Sequence, residues 1–269
     1  MTQSKPTKPT FDQYFDWAKE TVKFDFDEPQ KNLYGANTAS LLTQVKACSF
    51  CEELPTFLLE AQREYENTHH VKLLMKNDAP TFIEKSYKSA INKSYRNNIV
   101  DNWKYPSQPK WGWTDHNNIY TQLQDLIRTT IFCRYLDGPA FLAQKLMELA
   151  AKHNLIDAEV RSQERDSGYY AQHFYGKIPV AFFDIKFGQI KSEIWFEIQI
   201  TTQMQEVLRE LSHSFYEEQR ISLDDDPKWK WDHAAPRFRA SLMGHTLHLL
   251  EGVILELRDK KNESAKDNK

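Results

Sequence analysis

The stretch Glu193-Ile194-Trp195-Phe196-Glu197-Ile198-Gln199-Ile200-Thr201-Thr202 decides the fold, because its alternation predicts a strand with two unlike faces. Phe196, Ile198 and Ile200 share an apolar face, and the opposite face carries Glu197 and Gln199. A carboxylate beside an amide on such a strand is suited to holding a metal ion or a sugar hydroxyl. The alternative is that Glu197 is an exposed residue on the solvated face of an antiparallel sheet.

Composition restricts the class of protein. The chain has 269 residues, a net charge of −3, and 40% hydrophobic and 13% aromatic residues, which suffice for a core. It has no run of about 18 apolar residues, and residues 1–10 lack an apolar h-region, so we expect neither a membrane span nor a secretory signal. Three cysteines give no paired disulfide framework and favour a cytoplasmic location. The charge argues against a broad nucleic-acid-coating surface but leaves room for a local basic cleft.

Periodicity divides the chain into helical ends around an α/β core. Helical spacing dominates residues 11–63, and the pattern predicts further helices at 140–153, at 203 to about 220, and at about 236–258. Five strands are predicted, at 129–135, 158–161, 170–178, 181–187 and 193–201. The last helix shows an apolar stripe that suggests packing, formed by Phe238, Leu242, Leu249, Val253 and Leu257.

These elements predict an α/β fold with a mixed sheet of about five strands, flanked by helices and extended by helical N- and C-terminal regions. We expect disorder at 1–10, an N-terminal helical region at 11–78, a core at 79–222, a C-terminal helical region at 223–259 and a disordered tail at 260–269. The Trp-rich stretch 98–118 has the composition of a long loop, and its role is not readable from the sequence.

A basic segment and an acidic residue precede the predicted sheet. Six residues have a spacing that places them on one face if the segment is helical: Lys85, Lys88, Ser89, Asn92, Lys93 and Arg96. Such a face could hold a polyphosphate, or it could be an ordinary solvated face. Asp125 lies just before a strand, where it could join Glu197 in a magnesium site or cap a turn.

Two further patterns have both functional and structural interpretations. Tyr169 and His173 share one strand face after Gly168, where the tyrosine could stack on a nucleobase or simply pack across strands. Cys48 and Cys51 could bind zinc with His69 and His70, but buried or idle cysteines are the favoured interpretation.

Four segments together resemble the RelA/SpoT-type alarmone synthetase domain family, in particular its small single-domain members. The segments are Lys85-Ser86-Tyr87-Lys88-Ser89-Ala90-Ile91-Asn92-Lys93, Asp125-Leu126-Ile127-Arg128, Gly168-Tyr169-Tyr170-Ala171-Gln172-His173 and Glu197-Ile198-Gln199-Ile200-Thr201-Thr202. The resemblance covers about residues 80–220 and implies a nucleotidyltransferase-like core. It also implies transfer of pyrophosphate from ATP to the 3′-hydroxyl of a nucleotide, with release of AMP.

The resemblance assigns a role to each matched residue. Asp125 and Glu197 would be catalytic and hold Mg²⁺, with Glu197 also helping to deprotonate the acceptor. The ATP-binding residues would be Lys85, Ser89, Lys93 and Arg128. The acceptor-binding residues would be Arg165, Tyr169, His173 and Gln199.

The chain departs from the family pattern at arginine positions. Ile83, Thr130 and Thr201 stand where the family usually has arginine, and Arg128 could substitute for one of them. These changes leave open whether the acceptor is GDP, GTP or an adenine nucleotide. A toxin-type enzyme that acts on the 3′ end of tRNA is a second reading, with an antitoxin protein as its partner and RNA contacts from Arg161, Arg165, Lys177 and Lys186. An inactive nucleotide-sensing module is the third.

Overall fold

The computed structural model describes residues 7–76, 78–164, 166, 168–210 and 227–267. Its centre is a five-stranded mixed sheet in the order β1-β2-β5-β4-β3. The strands are β1 (Ile83–Glu84), β2 (Ile127–Cys133), β3 (Ile156–Glu164), β4 (Tyr170–Phe183) and β5 (Gln189–Thr202). β2 and β5 are parallel, whereas the other pairings are antiparallel. The predicted α/β class with a mixed sheet of about five strands is confirmed.

The composition of the sheet differs from the prediction in two places. The predicted strands 170–178 and 181–187 are one strand, β4, which runs through Pro179. Pro179 is tolerated because β3 pairs with β4 only as far as Lys177, so this edge of β4 needs no backbone donor toward β3. The fifth strand is β1, and its two residues are too few to show a period in the sequence.

Helices cover the apolar face of the sheet. They are α1 (Phe11–Thr21), α2 (Glu28–Lys46), α3 (Ser49–His69) and α6 (Gly138–Lys152), and α2 and α6 both contact β4. Phe50 at the start of α3 stacks on Phe174 of β4 with ring centroids 5.4 Å apart, and it also contacts Phe196 of β5. The helical pattern predicted for 11–63 is therefore confirmed, and it forms one layer of the core.

The opposite face of the sheet is polar, as the alternation in β5 predicts. Register places Glu159, Tyr175, Glu197 and Arg128 in one row across four strands. The next row contains Arg161, His173, Gln199 and Thr130. The interpretation of Glu197 as an exposed residue is wrong, because it is only 3% exposed.

The segment between β1 and β2 contains α4 (Tyr87–Tyr95), a π-helical turn (Arg96–Val100) and α5 (Ile119–Gln122). Lys85 does not belong to the helix, because α4 begins only after its N-cap Ser86. The Lys85 backbone N–H instead donates to the Leu126 carbonyl across the β1–β2 edge, at 2.8 Å. The prediction that one helical face runs from Lys85 to Arg96 is therefore wrong for Lys85, its first residue. In the Trp-rich insert, Trp103 and Trp111 are exposed.

Two α-helices are described after β5. Residues 203–210 are helical and are called α7, and α8 spans Pro236–Asp267; the rest of the helix predicted to about 220 lies outside the described residues. α8 runs past its predicted end near 258, and the Asn262 amide there donates to the His69 carbonyl at 2.6 Å. The helix continues through 260–267, where helix-favouring Lys and Glu residues extend it, and the disorder expected for 260–269 stays a prediction. The domain boundaries themselves stay a prediction.

The apolar stripe predicted for α8 does not pack as expected. Leu249 is 71% exposed, and Leu242, Val253 and Leu257 are also exposed. The helix instead packs through polar residues, including Ser241, Glu251 and Arg258. The periodicity predicted the helix correctly. It predicted the wrong packed face, because α8 packs through polar side chains that form hydrogen bonds.

Candidate active site

Glu197 lies at the centre of the polar face, held by side chains from two strands. Its Oε1 is 2.7 Å from His173 Nδ1 and accepts a hydrogen bond of 2.8 Å from the Tyr175 hydroxyl. Its Oε2 accepts from Gln199 Nε2 at 2.8 Å. Both carboxylate oxygens are therefore held by groups on β4 and β5. A carboxylate that faced solvent would not need such partners.

The protonation of Glu197 follows from these contacts. Burial, the largest single influence, raises the pKa of its carboxyl, but the hydrogen bonds with His173 and Gln199 and the charge of His173 together outweigh it, and the pKa lies below its ordinary value. Asp125 acts in the opposite direction, since its negative charge raises the pKa of Glu197. Glu197 is thus an ionised, buried carboxylate at neutral pH.

Asp125 is the second buried carboxylate. Its Oδ2 is 2.6 Å from Lys85 Nζ, whereas its buried Oδ1 has no hydrogen-bond partner among the described residues. Burial would raise the pKa of Asp125, but the charges of Lys93, Lys85 and Arg128 hold it well below the usual range. Burial lowers the pKa of Lys85, and the contact with Asp125 partly offsets this.

The two carboxylates lie within electrostatic range of each other. β2 and β5 are neighbours, Arg128 is opposite Glu197 in register, and Asp125 precedes β2 by two residues. The electrostatic effect of Asp125 on Glu197 agrees with this placement. Mg²⁺ prefers one or two carboxylates and completes its shell with water and phosphate oxygens, so a buried, unpartnered Asp125 Oδ1 next to Glu197 fits such an ion. Among the described residues, no group of three or more His, Cys, Asp or Glu side chains suited to a metal occurs.

Cationic residues surround the carboxylates on the β1–β2 side. Lys85, Lys93 and Arg128 all act on Asp125 electrostatically. Ser89 is half-buried near the start of α4, where its hydroxyl accepts from Ser86 at 2.9 Å. A cavity of about 390 Å³ opens beside Arg128 and extends to Gln199, Glu206 and Arg209. Of the predicted ATP-side residues, Arg128 lines this cavity, and Lys85, Lys93 and Arg128 lie within electrostatic range of Asp125, which Lys85 reaches from the end of β1.

The predicted acceptor-side residues Tyr169 and His173 lie on β4 or in the turn before it, and Gln199 lies between them and β2. The Tyr169 hydroxyl is 3.3 Å from His173 Nε2, and the two rings meet edge to face with centroids 6.2 Å apart. Tyr169 precedes β4 and follows Gly168, whose positive φ of 75° suits the turn. Gln199 and His173 contact Glu197 from both sides. Arg165 lies outside the described residues.

Sequence reasoning assigned no role to two parts of this candidate site. Tyr175 was not singled out, although alternation from His173 places it on the same face. Glu206 and Arg209 form an ion pair on α7 at the edge of the cavity. The spacing i, i+3 on a helix permits this pair, but only the placement of α7 brings it to the site.

The structure also shows where the residues of two other sequence hypotheses lie, namely the RNA contacts and the zinc site. Lys177 pairs with Asp157 at 2.6 Å and lies over the Trp195 ring, and Arg161 lies over the Tyr175 ring. The zinc hypothesis is wrong, because Cys51 and His69 lie at opposite ends of α3. Eighteen residues of helix at about 1.5 Å each separate them by roughly 27 Å. No described helix is long and apolar enough to cross a membrane.

Comparison with known proteins identifies structural similarity at low sequence identity. No protein-family model matches the chain, and no curated protein matches it. Small alarmone synthetase 1 from Bacillus subtilis is 19% identical, with a TM-score of 0.49 over 79% of this chain and 92% of that one. Its form bound to its product pppGpp is 18% identical, with a TM-score of 0.48 over 78% of this chain and 92% of that one. A GTP pyrophosphokinase family protein from Streptococcus pneumoniae is 16% identical, with a TM-score of 0.45 over 87% of this chain and 93% of that one. The function of this chain therefore has to be inferred from its own residues.

Proposed function

We propose that this chain is an ATP-dependent pyrophosphotransferase. It moves the β,γ-pyrophosphate of ATP to the 3′-hydroxyl of a guanine or adenine nucleotide, as a (p)ppGpp synthetase does. One observation carries the proposal: the buried Asp125 carboxylate lies close enough to the buried Glu197 to act on its charge, and Lys85, Lys93 and Arg128 act on Asp125 in turn. Two buried carboxylates surrounded by cations suit a reaction on a polyphosphate, because phosphoryl-type transfer depends on positioning and charge neutralisation.

Different residues of the site serve the acceptor and ATP in this reaction. The acceptor 3′-oxygen attacks the β-phosphorus of ATP, the bond from that phosphorus to the oxygen bridging to the α-phosphate breaks, and AMP leaves. Glu197 accepts the proton of the attacking hydroxyl, and its Oε1 and Oε2 are already oriented by Tyr175 and Gln199. Lys85, Lys93 and Arg128 bind the phosphates, where their charges offset the negative charge that shifts toward AMP.

A bound Mg²⁺ would supply charge neutralisation at the phosphates and lower the pKa of the acceptor hydroxyl. Asp125, through its unpartnered Oδ1, and Glu197 would hold it. Lys85 keeps Asp125 ionised from the opposite oxygen, Oδ2, so the same carboxylate serves the cation and the ion pair.

The acceptor binds next to the β3–β4 turn in this proposal. Tyr169 stacks on its base, and stacking of this kind contributes about 1–3 kcal/mol. His173 and Gln199 fix the sugar beside Glu197, and Arg165 binds acceptor phosphate. Ile83 and Thr130, which replace family arginines, lie in register with Arg128 and Gln199 respectively. Arg128, which lies opposite Ile83, is therefore the cation that this part of the sheet offers to the ATP phosphates.

The deciding experiment measures transfer directly. The purified chain is incubated with γ-labelled ATP, Mg²⁺ and, in separate reactions, GDP, GTP, ATP or deacylated tRNA. Label on a mononucleotide supports the proposal, while label on tRNA identifies a toxin-type enzyme with an RNA acceptor and an antitoxin as its natural partner. Nucleotide binding without transfer to any acceptor contradicts an enzymatic function and supports a sensing module.

Glu197→Gln provides the test of the catalytic carboxylate. The amide keeps the size of the side chain but cannot accept the proton, so we expect transfer to fall by roughly 10²-fold or more. Glu193→Gln is the matched control, because Glu193 is an exposed residue of the same strand. Equal transfer by the two variants, at equal melting temperatures, would contradict the role of Glu197.

A further inference from the structure

Glu206 and Arg209 lie one turn apart on α7 and form an ion pair that the proposed reaction does not use. Arg209 donates from Nε to Glu206 Oε2 and from Nη2 to Oε1, so the side chains meet through two hydrogen bonds. This bidentate arrangement fixes the direction of both groups. The Glu206 side chain is 17% exposed and that of Arg209 is 38% exposed, so each keeps a surface that a ligand can reach.

Both side chains line the cavity of about 390 Å³ that also contacts Arg128. Among the described residues, much of the remaining wall is apolar and is formed by Leu58, Leu74, Ala79, Pro80, Ile83 and Ile131. Ile83 is 49% exposed and lies opposite Arg128 in register, so the cavity keeps an uncovered apolar side chain. Apolar walls with a few directed polar groups are typical of a site for a small organic ligand.

The charge of the ion pair indicates which part of a nucleotide it faces. A phosphate would be attracted by Arg209 but repelled by the Glu206 carboxylate that is bound to it, so the pair offers a phosphate little net attraction. The edge of a nucleobase is uncharged and presents hydrogen-bond donors and acceptors side by side. A carboxylate accepts and a guanidinium donates, so the pair suits a base edge better than a phosphate.

Arg128 connects this cavity to the residues that bind phosphates in the proposed function. It lines the cavity, and its charge acts on Asp125 together with the charges of Lys85 and Lys93. Because these three cations bind the phosphates of ATP in the proposed function, the adjoining cavity lies where the adenosine part of ATP continues. The base that reaches Glu206 and Arg209 is therefore that of the donor nucleotide.

We propose that Glu206 and Arg209 select adenine as the base of the pyrophosphate donor, an inference that rests on the proposed function. The Glu206 carboxylate accepts a hydrogen bond from the 6-amino group of adenine. Arg209 donates to ring N1 from an N–H that Glu206 does not use, since a guanidinium has five N–H groups. Guanine has a carbonyl oxygen and a ring N–H at these places, so both contacts would join like groups. The pair thus favours ATP over GTP as donor.

Binding of non-hydrolysable donors to the full-length chain tests the inference. Isothermal titration calorimetry with Mg²⁺ compares the α,β-methylene triphosphates of adenosine, guanosine and purine riboside, the last of which keeps N1 but has no 6-amino group. A hydrogen bond to a charged group is at stake, so we expect the adenosine analogue to bind about 10-fold more tightly than either of the others. Equal affinity for all three would overturn the inference, and this comparison needs no variant.

Substitutions on α7 separate the two contacts. Glu206→Ala is expected to lower the affinity for the adenosine analogue about 10-fold, to that of the purine riboside analogue, whose own affinity changes little. Arg209→Met is expected to weaken both, because both keep N1. Gln203→Ala, at an exposed position of α7, is the control. An equal loss for the two analogues in Glu206→Ala would overturn the contact with the amino group.

The transfer assay with γ-labelled ATP, run on the same preparation, distinguishes this inference from the proposed function. Transfer by a wild type that binds the three analogues alike would overturn the selection of adenine and leave the proposed function standing. Selective binding of the adenosine analogue without transfer to any acceptor would contradict the proposed function alone. Failure to bind any of the three would contradict both.

Discussion

Glu197 shows at the scale of one residue how a strand pattern becomes a chemical group. Alternation already placed it on the face opposite Ile198, and register then brought His173 and Tyr175 to its Oε1. The sequence could not reveal that this polar face is buried, because burial depends on what covers the sheet. Asp125 was predictable as a residue before a strand, but its pairing with Lys85 was not, since that contact crosses from β1 to β2.

His173→Leu tests the protonation of Glu197. His173 is the strongest of the groups that lower the pKa of Glu197, so its loss is expected to raise that pKa. Because only the ionised carboxylate accepts a proton, kcat/KM falls as the pH drops through this pKa. In the wild type this fall lies below the ordinary pH range of a Glu carboxyl. In His173→Leu we expect it to move to higher pH.

The pH profile of transfer is the measurement, taken at constant ionic strength. His233→Leu is the control, because His233 is exposed and distant in sequence from the site. An unchanged acid limb in His173→Leu would show that another group governs the proton transfer.

At the scale of elements, α8 contacts the turn that carries Tyr169. Gly244 of α8 meets Gly168 so closely that a Cβ on Gly244 would lie 2.8 Å from the Gly168 Cα. Tyr170, just after the turn, stacks on His248 with ring centroids 3.6 Å apart. A glycine within a helix usually weakens it, and only the tertiary contact gives this one a purpose.

Gly244→Ala is expected to destabilise the fold by about 1–3 kcal/mol, because the two backbones must separate. The added methyl group meets backbone atoms of Gly168, which cannot rotate away. Gly252→Ala on the same helix is the matched control, as no atom lies within 4 Å of its Cβ position. There we expect a gain of about 0.5–1 kcal/mol from helix propensity.

Urea unfolding of both variants measures the difference. We also expect Gly244→Ala to raise the KM for the acceptor more than that for ATP, since the displaced turn carries Tyr169. Equal stability of the two alanine variants would contradict the close contact between α8 and the turn.

At the scale of the whole molecule, α8 links distant parts of the chain through a buried ion pair. Arg258, whose side chain is 5% exposed, is 3.0 Å from Asp137 at the start of α6 and donates to the Tyr65 hydroxyl of α3 at 2.6 Å. Tyr65 in turn donates to Asp137 at 2.7 Å. Residues separated by more than one hundred positions thus share one hydrogen-bonded cluster.

Arg258→Met is expected to lower the free energy of unfolding by about 3 kcal/mol, the lower end of the roughly 3–5 kcal/mol range for breaking a buried pair. The value is at the lower end because Asp137 remains 29% exposed and solvent partly stabilises its charge. Thermal and urea unfolding measure the loss. Arg239→Met, at an exposed position of α8, is expected to change stability little. A similar effect of the two substitutions would show that the cluster contributes nothing specific.

The sequence by itself determined the α/β class, the helical ends and the polar face of β5, because these follow from local periods of 3.6 and 2 residues. Only the tertiary structure decided that β4 is one strand, that α8 packs through its polar side, and that β2 pairs in parallel with β5, which brings Asp125 within electrostatic range of Glu197. The physical reason is that a side-chain period reports which residues share a face. What that face contacts depends on strand order and register, which join residues far apart in the chain.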